Sequence, residues 1–261
     1  ALPWESYRDL LMWMLRKAGG GRGGRDGRGY DVEGSKALHI RAAATVLENF
    51  HEWDEAAEDA MEEEEGQATA TNVVGRLIDP VVVITLRQDV LPHLERLTVV
   101  EDDEGKGGTV RPAASAAVTS LLRLLPARNL ETDIGRVLGK IANCLRSRAQ
   151  GVRDSARAAL AAASSGLGAA HLPRVVGLLT GRLDRGFMTH VLGAALHSLL
   201  EACVPGADPE DVEDALDEIM PIIDADVFGR AAEEREVEAI RGAYKEARRS
   251  RAHECLTLLA A

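Results

Sequence analysis

Seven histidines, three cysteines and several runs of one charge are the groups in this sequence whose types and spacing could do chemistry. His190 and His197 stand seven apart on one helical stretch, with Cys203 six further on. A chelate on a helix takes ligands at i and i+4, so this spacing does not build one. A neutral histidine on a half-buried helix ordinarily satisfies one hydrogen bond, which is the role expected of both. Cys144, Cys203 and Cys255 are widely separated, odd in number and without a CxxC pair, which argues against a disulfide framework or a structural zinc finger.

The acids are more numerous. DPEDVEDALDEIM (208–220) sets Glu210, Asp214 and Asp217 on one helical stripe and Asp211 and Glu218 on the next. Paired carboxylates do acid–base work only in a cleft that drives their pKa values apart. Here they flank Val212, Leu216 and Ile219, the pattern of a solvated face, and acids in a first turn also favour a helix N-terminus. GGGRGG (19–24) lacks the Lys-Ser/Thr and preceding strand of a phosphate-cradling loop, and no GxSxG, zinc-deaminase or kinase-type string occurs. The expectation is a protein that is not an enzyme, with no catalytic residue, no cofactor, no metal and no small-molecule substrate.

Bases concentrate locally although the chain carries a formal charge of −11. Arg136, Lys140, Arg146, Arg148, Arg153 and Arg157 are opposed within their span only by Asp154. Arg136 and Lys140 are one helical turn apart, as are Arg153 and Arg157, while Arg146 and Arg148 sit near the turn between two helices. If the rows converge, one edge is positive and could hold RNA phosphates. The competing reading is pairing with acids of neighbouring helices. A second basic group, Arg241, Lys245, Arg248, Arg249 and Arg251, lies near the C-terminus. The glycine–arginine stretch could also touch RNA, or be a tolerated surface insertion.

The elements that must position these residues are helical. Forty Ala and 32 Leu are strong helix formers, whereas Phe, Trp and Tyr make up only 3% of the chain. Trp4, Tyr7, Leu10, Leu11, Met14 and Leu15 recur at helical spacing in a first helix over 4–17, and Leu38, Ala42, Val46, Leu47 and Phe50 mark the apolar side of a second over 36–51. The Gly-rich stretch 18–34 reads as a loop, since each Gly costs about 1 kcal/mol against Ala in a helix. Residues 52–72 open with a carboxylate run without a base, which repels itself and reads as a second loop. No apolar run approaches the length of a membrane span.

From residue 80 the text is regular. Helices read at about 80–98, 110–125, 130–147, 151–165, 170–183, 187–203, 209–224, 229–248 and 252–260. VVVIT (81–85) is assigned to the helix opened by Pro80 rather than to a strand, because no partner strand is evident. First members of successive pairs start near 130, 170 and 210, a spacing of about 40 that marks HEAT or armadillo repeats. Pro92, Pro173 and Pro221 sit inside apolar helices, which they bend. The fold class expected is all-α, a HEAT/armadillo-like α-solenoid of stacked helical hairpins. Residues 1–79 form N-terminal helical repeats interrupted by the two loops. Residues 80–261 form regular repeats at about 80–125, 130–166, 170–203 and 209–248. The whole reads as a piece of one longer solenoid.

Five strings, in order, carry a more specific signal: CLRSRAQGVRDSARAAL (144–160), LGAAHLPRVVGLL (167–179), LDRGFMTHVLGAALHSLL (183–200), DADVFGRAAEEREVEAI (224–240) and KEARRSRAHECLTLLA (245–260). They resemble the down-regulated-in-metastasis family of very large HEAT-repeat proteins associated with the U-three small nucleolar ribonucleoprotein. The resemblance implies a nucleolar, non-catalytic scaffold segment acting in small-subunit processome assembly and precursor ribosomal RNA processing. Its implied partners are other processome proteins and, through the basic edge, precursor ribosomal RNA or U-three small nucleolar RNA, with no membrane. The alternative class is a HEAT-repeat adaptor, a nuclear transport receptor or phosphatase scaffold, whose acidic stripes bind basic cargo.

Overall fold

The computed structural model describes residues 3–19, 32–50, 70–71, 77–101, 108–183, 185–186, 188–234 and 237–260. Most of the expected Gly/Arg-rich loop (18–34) and acidic loop (52–72) lies outside the described residues. The fold class is all-α, helical hairpins of the solenoid-like kind. The chain divides into two compact units, Ala1–Thr98 with Ala113–Leu130, and Val99–Pro112 with Glu131–Ala261.

In the first unit, α1 (Trp4–Gly19) buries Leu11, Leu15 and Ala18, and packs on α2 (Val32–Glu48), which buries Ile40, Ala43, Ala44 and Leu47. Both sets follow the 3.6-residue period. Phe50, just past α2, makes T-shaped contacts with Trp4 and Tyr7, with ring centroids 5.4 and 4.9 Å away. Tyr7 also donates its hydroxyl to the Val46 carbonyl. Leu38, expected on the apolar side, is instead 64% exposed, because it lies off the 40–43–44–47 row that faces α1.

VVVIT is helical, in α3 (Pro80–Thr85): the Asp79 side chain accepts from the Val81 amide at 2.6 Å, and Pro80 occupies the first turn, where a missing amide hydrogen costs nothing. A π-helical turn, Leu86–Val90, leads into α4 (Leu91–Thr98). Pro92 lies at that junction, where its lack of an N–H leaves the i→i−4 ladder incomplete. α5 (Pro112–Arg123) completes this unit's core with Ala114, Ala117, Val118, Leu121 and Leu122.

Among the described residues two short antiparallel ribbons accompany the helices. In the first unit β1 (Ala70–Thr71) pairs with β2 (Leu77–Ile78), and in the second β3 (Val99–Glu101) pairs with β4 (Gly108–Val110) in the register Val99↔Val110. Neither ribbon is expected from the sequence, because segments of two or three residues are too short to display alternation.

The second unit continues with α6 (Ala127–Cys144, from Glu131 on), α7 (Gln150–Leu167), α8 (Leu172–Leu183), α9 (Met188–Cys203), α10 (Pro209–Glu213), α11 (Leu216–Phe228), α12 (Arg230–Glu234), α13 (Glu238–Ala243) and α14 (Ala252–Leu259). Alternate helices stack: α7 on α9 and α9 on α14 in one row, α8 on α11 in the other, with α9 touching α8 and α11 across the rows. This arrangement lets helices with a single apolar stripe bury it against successive neighbours. Val191, Ala195, Leu196, Leu199 and Leu200 of α9 are all buried, each large one contributing roughly 1.5–3 kcal/mol. α7 runs through Gly166 and ends at Gly168, whose φ of +99° suits a residue without a Cβ.

Two expected helices are broken. The span 209–224 divides into α10 and α11 at Asp214–Ala215, and α11 accommodates Pro221 and runs on to Phe228. The span 229–248 becomes α12, α13 and a 3₁₀ turn over Lys245–Arg248. Its residues are good helix formers, but Tyr244 adopts an extended conformation (φ −128°, ψ 115°) that delivers its ring to the α7 surface. Tertiary contact overrides local propensity there.

Candidate nucleic-acid interface

Val137, Leu138, Ile141, Ala142 and Leu145 of α6 and the following turn face the core, which leaves Arg136 and Lys140 on the outward side one turn apart. Arg136 is partly exposed and pairs with the buried Asp133 at 3.3 Å. The helix end tightens, with the Leu145, Arg146 and Ser147 amides bonding three residues back at 3.1 Å each. Arg146 and Arg148 emerge exposed from that turn.

The remaining two predicted bases turn inward. Arg153 is buried completely, at 0% exposure, and the expectation that it stands on an open edge is corrected. Its Nε and Nη2 donate to the two carboxylate oxygens of Glu246, each at 2.9 Å, and Nη1 donates to the carbonyls of Ser147 and Arg148 at 3.0 and 2.9 Å. Nη2 also donates to Gln150, and the guanidinium carbon sits 4.9 Å from the centre of the Tyr244 ring. A fork of five donors satisfied in this way is what permits an arginine to be buried. Arg157 is largely covered, paired with Asp154 and lying 3.6 Å from Glu246. For these two residues, intramolecular pairing is the arrangement adopted.

Glu246 completes this cluster from a segment that gives no sign of it in the sequence. Burial alone acts to raise its carboxyl pKa. Hydrogen bonds from Arg153, its own backbone amide and Gln150, with the Arg153 charge, outweigh that and hold it below the ordinary carboxylate range. Nothing local in AYKEARRS marks it, since its partner is 93 residues away.

The second basic group also splits. Arg249 and Arg251 pair with Glu254, whose carboxyl is held low chiefly by the hydrogen bond from Arg251. Arg241, Lys245 and Arg248 are exposed, and Arg248 Nε donates to the Arg241 carbonyl at 3.0 Å.

The other candidates do not assemble. His190 is buried, with Nε2 3.4 Å from a Glu234 carboxylate oxygen, while His197 lies between Glu201 and Glu254 at 3.9 and 3.7 Å. Among the described residues no group of three or more His, Cys, Asp or Glu is disposed to hold a metal ion. Burial pushes the Cys203 and Cys255 thiols up to about 11 and raises Cys144, the opposite of what a nucleophile needs. Glu210, Glu213, Asp214 and Asp217 are exposed, and Asp208 caps α10 by accepting from the Glu210 amide at 3.1 Å. Among the described residues no helix is long and apolar enough to cross a membrane.

Comparison with known proteins decides the family. Residues 101–261 match the model of the U3 small nucleolar RNA-associated protein 20 domain. The chain belongs to the U3 small nucleolar RNA-associated protein 20 family. This is the family that the five strings of 144–260 resemble. Members of the U3 small nucleolar RNA-associated protein 20 family from Schizosaccharomyces pombe and Saccharomyces cerevisiae are 28% identical over 175 residues and 29% identical over 178 residues. Each alignment takes in 67% of this chain but only 7% of the relative, so the chain spans a small part of the relatives it matches.

Proposed function

We propose that this chain is a non-catalytic scaffold segment of a nucleolar ribosome-assembly factor, acting in assembly of the small-subunit processome and in processing of small-subunit precursor ribosomal RNA. The observation that carries the proposal is the family match over residues 101–261, to proteins named for association with the U3 small nucleolar RNA. The architecture of the second unit supports it: helices that stack on successive neighbours, as α7, α9 and α14 do, offer a surface to which protein and RNA elements can bind. The partners proposed are other processome proteins, with precursor ribosomal RNA or U3 RNA reached through the exposed bases Arg136, Lys140, Arg146 and Arg148. Arg153 and Arg157 support that edge from within rather than contact phosphate.

Depletion of the full-length protein, followed by measurement of small-subunit RNA precursors and of nucleolar enrichment, tests this reading. Accumulated precursors and a nucleolar signal are the expected result. Unchanged processing, with recovery of nuclear transport factors or a phosphatase on pull-down, would favour the adaptor reading.

A further inference from the structure

The two basic groups are far apart in sequence, yet the buried arginine joins them. Arg153 holds the Ser147 and Arg148 carbonyls on Nη1 and the Glu246 carboxylate on Nε and Nη2. The 146–148 turn and the Lys245–Arg248 turn are therefore both within reach of one guanidinium, and Gln150 adds a further tie to Glu246 at 3.2 Å. The side chains flanking this clasp, Arg146 and Arg148 on one segment and Lys245 and Arg248 on the other, are exposed. Arg241 extends the second segment through the Arg248 Nε bond to its carbonyl. The acids on these segments are few: Glu246 is consumed in the clasp, Asp154 is bonded to Arg157 and Gln150, and Glu238 is exposed. A positive surface kept open in a chain of net charge −11 fits a polyanion.

We infer that the RNA-binding surface is composite, built from Arg146 and Arg148 of the α6–α7 turn together with Lys245 and Arg248 of the C-terminal 3₁₀ turn, and that Arg153 and Glu246 are its positioning residues. The inference rests on the RNA contact proposed above and specifies its make-up and its ligand, an RNA phosphate backbone read without base preference. The one aromatic side chain on these segments, Tyr244, is buried under Arg153, so it offers no stacking platform for bases. Exposed bases without stacking give binding that depends on salt and not on sequence.

The test titrates the 261-residue chain with a fluorescent oligouridylate and a mixed-sequence oligonucleotide over a range of salt concentrations. The paired variants Arg146→Gln with Arg148→Gln, and Lys245→Gln with Arg248→Gln, should each weaken binding to both probes. Each pair should reduce the slope of log K against log salt by about 1.4, about 0.7 for each cation removed from contact with a single strand. Glu246→Gln is the sharper variant. It removes a negative charge, so charge summation alone makes RNA bind more tightly, whereas loss of the clasp makes it bind more weakly. In that background the Lys245 and Arg248 changes should have little further effect, while the Arg146 and Arg148 changes still weaken binding. If Glu246→Gln fails to fold, the two surface pairs decide the matter. Loss of binding from the Arg146/Arg148 pair alone would overturn the composite surface and leave a single-hairpin edge. Preference for a polyglutamate peptide over RNA would overturn it in favour of an acidic protein partner. No RNA binding by the unaltered chain would overturn it while leaving the scaffold role to the processing assay.

Discussion

Arg153 Nη2 lies 2.9 Å from Glu246 Oε2, with both side chains buried, and the bond spans 93 residues of chain. It fastens the C-terminal segment of the second unit to the start of α7. A buried ion pair is costly to break from one side, because the surviving charge is left without a counterion.

Arg153→Met should therefore destabilise the second unit by about 3–5 kcal/mol, while Arg153→Met combined with Glu246→Leu should recover most of the loss. Urea unfolding of the two variants and of Glu246→Leu closes the cycle. Additive losses would mean that the pair acts through its separate neighbours instead.

The same pair sets an acid limit. The folded-state pKa of Glu246 is depressed, so its contribution is complete above the unfolded carboxylate value of about 4.3 and is lost as pH falls through the folded value. Thermal midpoints should fall below about pH 4, and Glu246→Gln should flatten that descent. An identical acid limb in the variant would assign it to other carboxylates.

Contacts between near neighbours leave a pattern in the sequence, and contacts between remote residues do not. α6 to α9 could be read because their apolar residues recur at the helical period and their contacts are with similar stripes. The inward turn of Arg153 could not be read, because RDSARAAL gives it the same local setting as Arg157 and its partner is remote. For the same reason 229–248 read as one helix: the Ala-rich, charged text favours it, but docking of Tyr244 and Glu246 breaks it. Leu38 shows the limit of period counting, since one residue off the facing row is enough to leave a leucine in solvent.

Gly168 takes φ +99° and ψ 160°, a region close to glycine-only. Gly168→Ala should lower stability by about 1–3 kcal/mol through backbone strain alone, since no atom lies within 4 Å of the added Cβ. Gly181→Ala, in a helix with open space at the same position, should be neutral or stabilising, and calorimetry of the two compares them.

All three cysteines are buried and free, and burial raises each thiol. In the native chain at pH 8 they should react slowly with an aromatic disulfide reagent, and all three should react at once in denaturant. A thiol that titrates rapidly in the native state would mark a local opening of α6, α9 or α14.

The role proposed for this segment is to hold RNA and protein in a small-subunit precursor particle. Its most direct test is crosslinking of the full-length protein within purified particles, reading the RNA by sequencing and the protein by mass spectrometry. Small-subunit precursor or U3 RNA should be found on peptides spanning residues 146–148 and 245–248. Particles that contain the protein but yield protein–protein crosslinks alone from both peptides would contradict it.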